Sequence, residues 1–343
     1  MVTERKQNIL GKNIAELQDM VLELGMPKFT AKQIAQWVYQ KNVHDFESMT
    51  NISKHHRELL AENCSVGTSA PVETQTSADG TVKYLFPTEG GKYVETVYIP
   101  ENDRATLCVS SQVGCKMDCM FCQTGRQGFE GNLTVTDILN QIYSIDKPET
   151  LTNIVFMGQG EPLDNYDSLM KAISIITADF GWAWSPKRIT VSTVGLKKNL
   201  ERFLRESECH LAVSMHFPIH EQRLRYMPAE RQFPIEEVVD LLRNYDWSHQ
   251  RRLSFEYTMF DGVNDSMLFA KEIVRLLAGL DCRVNLIRYH RIPGLELSES
   301  TQVKMTSFRD YLTRHGVYTT IRTSRGQDID AACGLLTTKR ENQ

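Results

Sequence analysis

The sequence predicts an α/β fold built on a largely parallel sheet, with a small all-α unit ahead of it. Three observations carry this expectation. From Ala105 onward, short apolar runs alternate with amphipathic stretches, the pattern of repeated βαβ units. Before residue 70 the periodicity is helical instead. Between the runs, the polar and glycine-rich segments fall just after predicted strands, where such sheets gather their functional residues.

In chain order, Ile14, Leu17, Met20, Val21 and Leu24 recur at helical spacing, and Leu10 is read as extending that face. Gly25 and Pro27 end the segment. Thr30 is placed as the cap of a second helix holding Ile34, Trp37 and Val38, and a third covers Ser53 to Ala61. Ser65 to Ala78 is polar and rich in turn formers, so it reads as a linker. A hairpin follows, Val82–Phe86 and Tyr93–Ile99 around Gly90-Gly91. Strands are then expected at 105–110, 152–157, 187–192, 210–215, 252–258, 282–288 and 317–322. Helices are expected at 134–145, 166–178, 197–206, 234–245, 265–279 and 299–315. The alternation is compatible with an open twisted sheet or with a full or partial barrel. The domain reading is 1–78 helical accessory unit and linker, 79–100 hairpin, 101–336 core and 337–343 tail.

The charge balance narrows the function. A net charge of −4 excludes a surface coated in basic residues, so any nucleic-acid contact must be local. Candidate patches are Lys187, Arg188, Lys197, Lys198, Arg202 and Arg205; Arg223 and Arg225; Arg251 and Arg252; and Arg322 and Arg325. Solvated helix faces balanced by Glu201, Glu206 and Glu208 explain the first group equally well. Residues 1–64 hold eight Lys/Arg and eight Asp/Glu, giving the helical unit no basic character. The charged start MVTERKQNIL lacks the apolar core of a signal peptide, and no run suits a membrane span. Clustered cysteines in such a chain favour metal ligation in a reducing cytosol over disulfides.

The strongest chemical signal is CKMDCMFC, in which Cys115, Cys119 and Cys122 are spaced C-x3-C-x2-C. Three thiolates can hold three irons of a cubane, whereas Fe–S electron carriers close the cluster with four. The missing fourth ligand leaves one iron open for chemistry. A zinc site would want four ligands, yet His210 and His216 are remote and Cys108 lies seven residues upstream. Gly158 to Pro162, Ser192-Thr193 and Ser214-Met215-His216 close the following strands, so one mouth of the sheet collects them all. Cys64, Cys209 and Cys282 read as buried thiols. A carboxylate such as Glu95, on a hairpin, is ordinarily solvated.

Taken together, YVETVYIPENDRATLCVSSQVGCKMDCMFC, GQGEPLDNYD, ITVSTVG, SMHFP, GVNDS, VNLIRYH and DIDAACG resemble the RlmN/Cfr class of radical S-adenosylmethionine (SAM) RNA methyltransferases. The resemblance runs from about Glu95 to Leu336, and Phe121 supplies the aromatic of the C-x3-C-x-aromatic-C signature. It implies a partial (β/α) barrel, a 4Fe–4S cluster on Cys115, Cys119 and Cys122, and SAM contacts at Gly160, Glu161, Ser192, Ser214, Met215, His216 and His290. This chain has Gln159 where the class mostly has Met, and His290 where Asn is usual. Cys333 resembles the cysteine that carries a methyl group as an intermediate, Cys108 its resolving partner through a transient disulfide, and Glu95 the base.

The implied reaction uses two SAM molecules. One methylates Cys333; the other yields a 5′-deoxyadenosyl radical that takes a hydrogen atom from the new methyl group. The carbon radical adds to C2 of adenine, Glu95 accepts the C2 proton, and Cys108 attacks the Cys333 sulfur to free the RNA. Sequence-specific recognition of RNA favours unstacked loop bases. The implied substrates are adenines in the peptidyl-transferase loop of 23S rRNA and beside the tRNA anticodon. A low-potential donor such as flavodoxin or ferredoxin, a monomeric state, a cytoplasmic location and no membrane partner complete the expectation. Pro162 after Glu161 favours the RlmN branch over Cfr-like methylation at C8. A non-catalytic Fe–S or zinc RNA-binding protein is the alternative from another class.

Overall fold

The computed structural model describes residues 6–247 and 252–337. A ten-stranded sheet organises them. Its strands are β1 (Glu73–Thr76), β2 (Val82–Pro87), β3 (Tyr93–Pro100), β4 (Ala105–Cys108) and β5 (Asn153–Phe156). They continue with β6 (Ile189–Thr193), β7 (His210–Ser214), β8 (Leu253–Met259), β9 (Arg283–Arg288) and β10 (Tyr318–Ile321). Each strand lies beside its neighbour in sequence. β4 to β10 pair in parallel, and β1 to β4 in antiparallel fashion.

The helices are α1 (Ile14–Glu23), α2 (Thr30–Ala35), α3 (Lys54–Asn63), α4 (Gln123–Gln127), α5 (Val135–Tyr143) and α6 (Tyr166–Thr177). After them come α7 (Lys197–Glu206), α8 (His220–Tyr226), α9 (Ile235–Arg243), α10 (Met267–Leu276) and α11 (Gln302–Arg314). Every crossover between parallel strands carries at least one helix, as parallel pairing requires. Among the described residues no helix is long and apolar enough to cross a membrane.

The fold is a partial barrel. β1 and β10 are the two edges of the sheet and do not pair with each other. Arg104, just before β4, and Arg252, just before β8, repel one another although three strands stand between them. In a flat sheet that separation would be about 19 Å at the usual strand spacing, so the sheet curls. The apolar core on its outer side is continuous with that of the N-terminal helices. Tyr39 packs edge-on against Tyr143 of α5 at 6.0 Å, and Lys171 of α6 reaches Glu16 of α1 at 2.6 Å.

Local chemistry corrects several boundaries. α1 starts at Ile14 because Asn13 and Glu16 form a capping box; Leu10 is buried ahead of the helix rather than on it. Thr30 does not cap α2: it is the first helical residue, its side chain is buried, and Phe29 holds the cap position without a side-chain bond. The predicted linker is also structured. Ser65 pairs in parallel with Asn8, and Glu73–Thr76 forms the edge strand, joined to β2 by a turn over Ser77–Thr81. Both faces of this edge strand are open to solvent, so its residues are polar throughout, which is why it read as a linker. Strand β6 begins two residues later than expected because Pro186–Arg188 makes a short 3-10 turn. Arg251 and the tail from 338 onward lie outside the described residues.

Candidate active site

The cysteine loop leaves the C-terminal end of β4. Gln112–Val113 pairs with Gly131–Asn132 and turns the chain at Gly114. Gly114 has φ +71°, and a Cβ there would lie 1.7 Å from the Gly128 carbonyl oxygen, so only glycine fits. Cys122 holds the position just before α4, and its N–H donates to the Cys119 carbonyl at 3.1 Å. Phe121 is buried against His216 and Phe260, with ring centroids 5.0 and 5.1 Å away. The signature aromatic thus ties the loop to the end of β7.

Burial and the neighbouring thiols push the Cys115 thiol up to about 12 and Cys119 well above its ordinary value. Such thiols ionise only when a cation compensates them, and this donor set fits a metal cluster. Among the described residues no group of three His, Cys, Asp or Glu side chains converges on a single ion. A cubane does not require that, since each thiolate takes a different iron.

Gly158 to Pro162 follows β5 against residues 109–112. A Cβ on Gly160, at φ +95°, would stand 2.5 Å from the Gln112 side chain. Gln159 is fully buried; its Oε1 accepts the Glu95 N–H at 3.0 Å, and its main-chain oxygen accepts Ser111 and Gln112. The Gln159 side chain therefore has a structural use in this chain. Glu161 is buried, and its oxygens accept Leu163 N–H at 3.1 Å and Val194 N–H at 2.9 Å. Burial pushes its carboxyl up to about 7. The Thr193 hydroxyl bonds it as well. A carboxylate retains a further acceptor site, and an incoming ammonium would both fill it and favour the charged form.

Ser192 and Ser214 face each other with 3.4 Å between hydroxyl oxygens. His216 has φ +54° and is buried; its Nδ1 accepts the Thr258 N–H at 3.0 Å. Burial pulls its pKa down to about 3, so the ring is neutral and Nε2 carries the proton. Met215, between Ser214 and His216, has its side chain fully buried in the core, with its N–H on the Glu256 carbonyl and its own carbonyl on Arg223. His290 lies after β9, and its Nε2 is 3.0 Å from the Ser324 hydroxyl.

Four residues here escaped the sequence reading. In register with Ser214 stand Glu256, Asn285 and Thr320, which extend the polar row across the inner face of the sheet. Asn285 donates to Glu256 at 2.7 Å, and Thr320 donates to Asn285 at 2.8 Å. A carboxylate in the middle of the otherwise uncharged strand LSFEYTM was the available signal. Arg223 was grouped with surface basic residues, but it is fully buried and pairs with buried Glu230. Its guanidinium also donates to the carbonyls of Val194, Ser214 and Met215 at 3.0–3.1 Å. It stitches two strand ends together, and losing one member of such a buried pair typically costs about 3–5 kcal/mol. Lys197 and Arg202 pair with Glu237, Glu206 and Asp167, the arrangement of a solvated face.

Glu95, Cys108 and Cys333 meet on the antiparallel side of this mouth. The alternation of β3 turns Glu95 and Val97 inward, and Val97 stands opposite Cys108. Glu95 is therefore buried rather than solvated. Its Oε1 pairs with Lys83 at 3.1 Å, and its Oε2 accepts the Thr337 N–H at 2.8 Å. Cys108 packs with Val97, Ala331 and Leu336, and its thiol feels the Cys333 thiol. Cys333 keeps access to solvent, yet protein surrounds it enough for desolvation to push its thiol up. Cys122, Glu256 and Arg322 are its charged or thiol neighbours.

The segment bearing Cys333 is held from both ends. Asp79 accepts Gly326 N–H at 3.0 Å, and Asp328 accepts Ala78 N–H at 3.1 Å. Gln123 N–H donates to Gly334 and the Thr124 hydroxyl to Leu336, both at 2.8 Å. The cysteine loop itself thus grips the chain around Cys333.

Comparison with known proteins agrees with this geometry. Residues 7–66 match the ribosomal RNA large subunit methyltransferase N-terminal domain, and residues 109–273 match the radical SAM superfamily. The chain is 60% identical over 338 residues to a probable dual-specificity RNA methyltransferase RlmN of Phocaeicola vulgatus, covering 98% of this chain and 97% of that protein. It is 39% identical to the dual-specificity RNA methyltransferase RlmN of Marinobacter nauticus, covering 98% and 94%. A crystal structure of a radical SAM methyltransferase from Sphaerobacter thermophilus superposes with a TM-score of 0.93 at 38% identity, covering 97% of this chain and all of that one. With its helical start, its cysteine loop at the mouth of a partial barrel and relatives alike over nearly their whole length, the chain belongs to the RlmN family of radical SAM RNA methyltransferases.

Proposed function

We propose that this protein methylates C2 of an adenine in 23S rRNA and in tRNA, through a methyl group carried on Cys333. One arrangement carries the proposal: the Cys333 thiol lies within electrostatic reach of the thiols of Cys108 and of Cys122 in the cysteine triplet, and Glu95 accepts the N–H of Thr337, four residues beyond Cys333. The cluster on Cys115, Cys119 and Cys122 and two molecules of SAM supply, when bound, an electrophilic methyl group and a 5′-deoxyadenosyl radical. Glu161 complements the ammonium of SAM, with Gly160 giving close main-chain approach. Ser192, Ser214 and the Nε2–H of His216 offer hydroxyl and imidazole contacts further along the mouth, and His290 borders it at β9.

The protein's own residues then have distinct tasks. The Cys333 sulfur takes the methyl group, and the carbon of that group later forms the bond that links RNA to protein. Glu95, held away from bulk water, accepts the proton from C2 as a general base. The adduct returns its unpaired electron to the electron carrier; Cys108 then loses its proton and attacks the Cys333 sulfur, the sulfur–carbon bond breaks as the disulfide forms, and the leaving carbon takes up a proton to become the product methyl group. External thiols reset that disulfide. The helical unit of residues 1–78 is assigned to RNA contact, the 79–100 hairpin to presenting Glu95, and 101–336 to the catalytic core. A monomer working in the cytoplasm with flavodoxin or ferredoxin as electron donor completes the proposal.

Isotope loss tests the regiochemistry. Methylation of RNA bearing C2-deuterated adenine should release the label, and C8-deuterated adenine should keep it, as read by mass spectrometry of nucleoside digests. Loss from C8 with retention at C2 would overturn the assignment.

A further inference from the structure

We propose that Lys83 is a positioning residue for the reaction's base: it holds Oε1 of Glu95 so that Oε2 is the oxygen presented to the substrate proton. The inference deepens the proposed function and rests on Glu95 being the base. Lys83 and Glu95 lie on adjacent antiparallel strands, with Leu85 opposite Glu95 and Lys83 opposite Val97. The two side chains are thus diagonal neighbours on one face of the hairpin, within reach of each other. The ammonium is 3.1 Å from Oε1, and only 12% of the lysine side chain and 9% of the glutamate side chain is exposed. A lysine so enclosed is seldom a surface charge left over; it is kept by its partner.

The rest of the Glu95 environment leaves one oxygen for chemistry. Its own N–H is on Gln159, and its own carbonyl accepts the Ser110 hydroxyl at 2.6 Å, which fixes the backbone. Oε2 meets the N–H of Thr337, four residues beyond Cys333. An adenine approaching the Cys333 carbon must therefore take that place, exchanging a neutral main-chain donor for its own C–H. Oε1 stays with Lys83 throughout. The charged groups facing Glu95 are Lys83 from β2 and Asp330 from the C-terminal segment; the first stabilises the carboxylate and the second opposes it.

Burial raises the Glu95 carboxyl above its ordinary value, and Lys83 works against that rise. The base acts as the carboxylate, so activity rises as pH rises through the Glu95 pKa. Removing the ammonium moves that limb to higher pH. Each unit of displacement lowers the carboxylate fraction, and hence the rate on the acid side, about tenfold.

The test is the pH profile of adduct resolution in a single turnover, measured with Lys83→Met and Lys83→Arg. For Lys83→Met we expect the acid limb to shift upward by about one unit or more, with Cys333 methylation and SAM cleavage unchanged. Lys83→Arg should restore the wild-type limb. A Lys83→Met profile that overlays wild type overturns the inference, as does a Lys83→Arg profile displaced like that of Met. If Lys83→Met fails to accumulate folded protein, Lys83→Gln, which likewise lacks the charge, takes its place and decides by the same criterion. Glu95→Gln keeps the two readings apart. Full turnover by that variant would remove Glu95 as base, whereas a stalled adduct with unshifted Lys83→Met would remove only the role of Lys83.

Discussion

Replacing Cys333 by alanine should abolish RNA methylation while leaving the Fe–S chromophore and SAM cleavage in place. The thiol is the only atom the proposal offers to carry the methyl group, so its loss removes a covalent step rather than weakening one. Deleting a covalent nucleophile ordinarily costs at least about 10^3 in turnover, and here product should fall to background. The variant should fold. Cys333 is solvent-accessible, and the hydrogen bonds that hold its segment come from Gly326, Asp328, Gly334 and Leu336 rather than from the thiol. Anaerobic absorption spectra and 5′-deoxyadenosine formation would check the retained part, and product analysis the lost part. Multiple turnover by the variant would show that the cysteine has been given the wrong role.

The second large effect is expected at Cys108. Its replacement by alanine should stop the reaction after the carbon–carbon bond has formed, trapping RNA on the protein as a denaturation-resistant complex. Cys108 sits in an apolar pocket with Val97, Ala331 and Leu336, where burial keeps its thiol protonated at neutral pH. That placement suits a sulfur that must wait until the adduct is complete, since an early thiolate would compete for the methyl group. Yields should approach one adduct per active site, seen as a shifted band that nuclease treatment collapses. Free methylated RNA at wild-type rates from this variant would contradict the assignment.

Much of this arrangement was legible in the residues. Strand–helix alternation from Ala105 located the sheet, and the ends of β4, β5, β6 and β7 do collect the cysteine loop, Gly160-Glu161, Ser192 and Ser214 at neighbouring positions. The parts that escaped have physical reasons. An edge strand may be polar on both faces without penalty, so Glu73–Thr76 carries no period that marks it. Arg223 looks like any helical arginine until Glu230, seven residues on, is brought against it by a turn that sequence spacing does not encode. Met215 shares a tripeptide with two mouth residues, but strand alternation turns its side chain to the face opposite Ser214, into the core.

Glu95 is the most instructive case. On the hairpin alone it looked solvated; the residues that bury it come from β2 and from Thr337, far apart in the chain. Strand alternation did point it the same way as Val97 and hence toward Cys108, but only the curl of the sheet brings the C-terminal segment over it. Likewise Glu256 could be noticed as a carboxylate in an otherwise uncharged strand, while its neighbours Asn285, Arg322 and Cys333 follow from strand register and closure.

The central claim is that the methyl group reaches RNA by way of Cys333. Peptide mass spectrometry of protein incubated with SAM and then freed of it tests this most directly. The account predicts one added methyl group on the Cys333 peptide. In a subsequent single turnover with unlabelled SAM and RNA, that group should appear in the product adenine. A Cys333 peptide that never gains a methyl group, in protein that nevertheless methylates RNA, would contradict it.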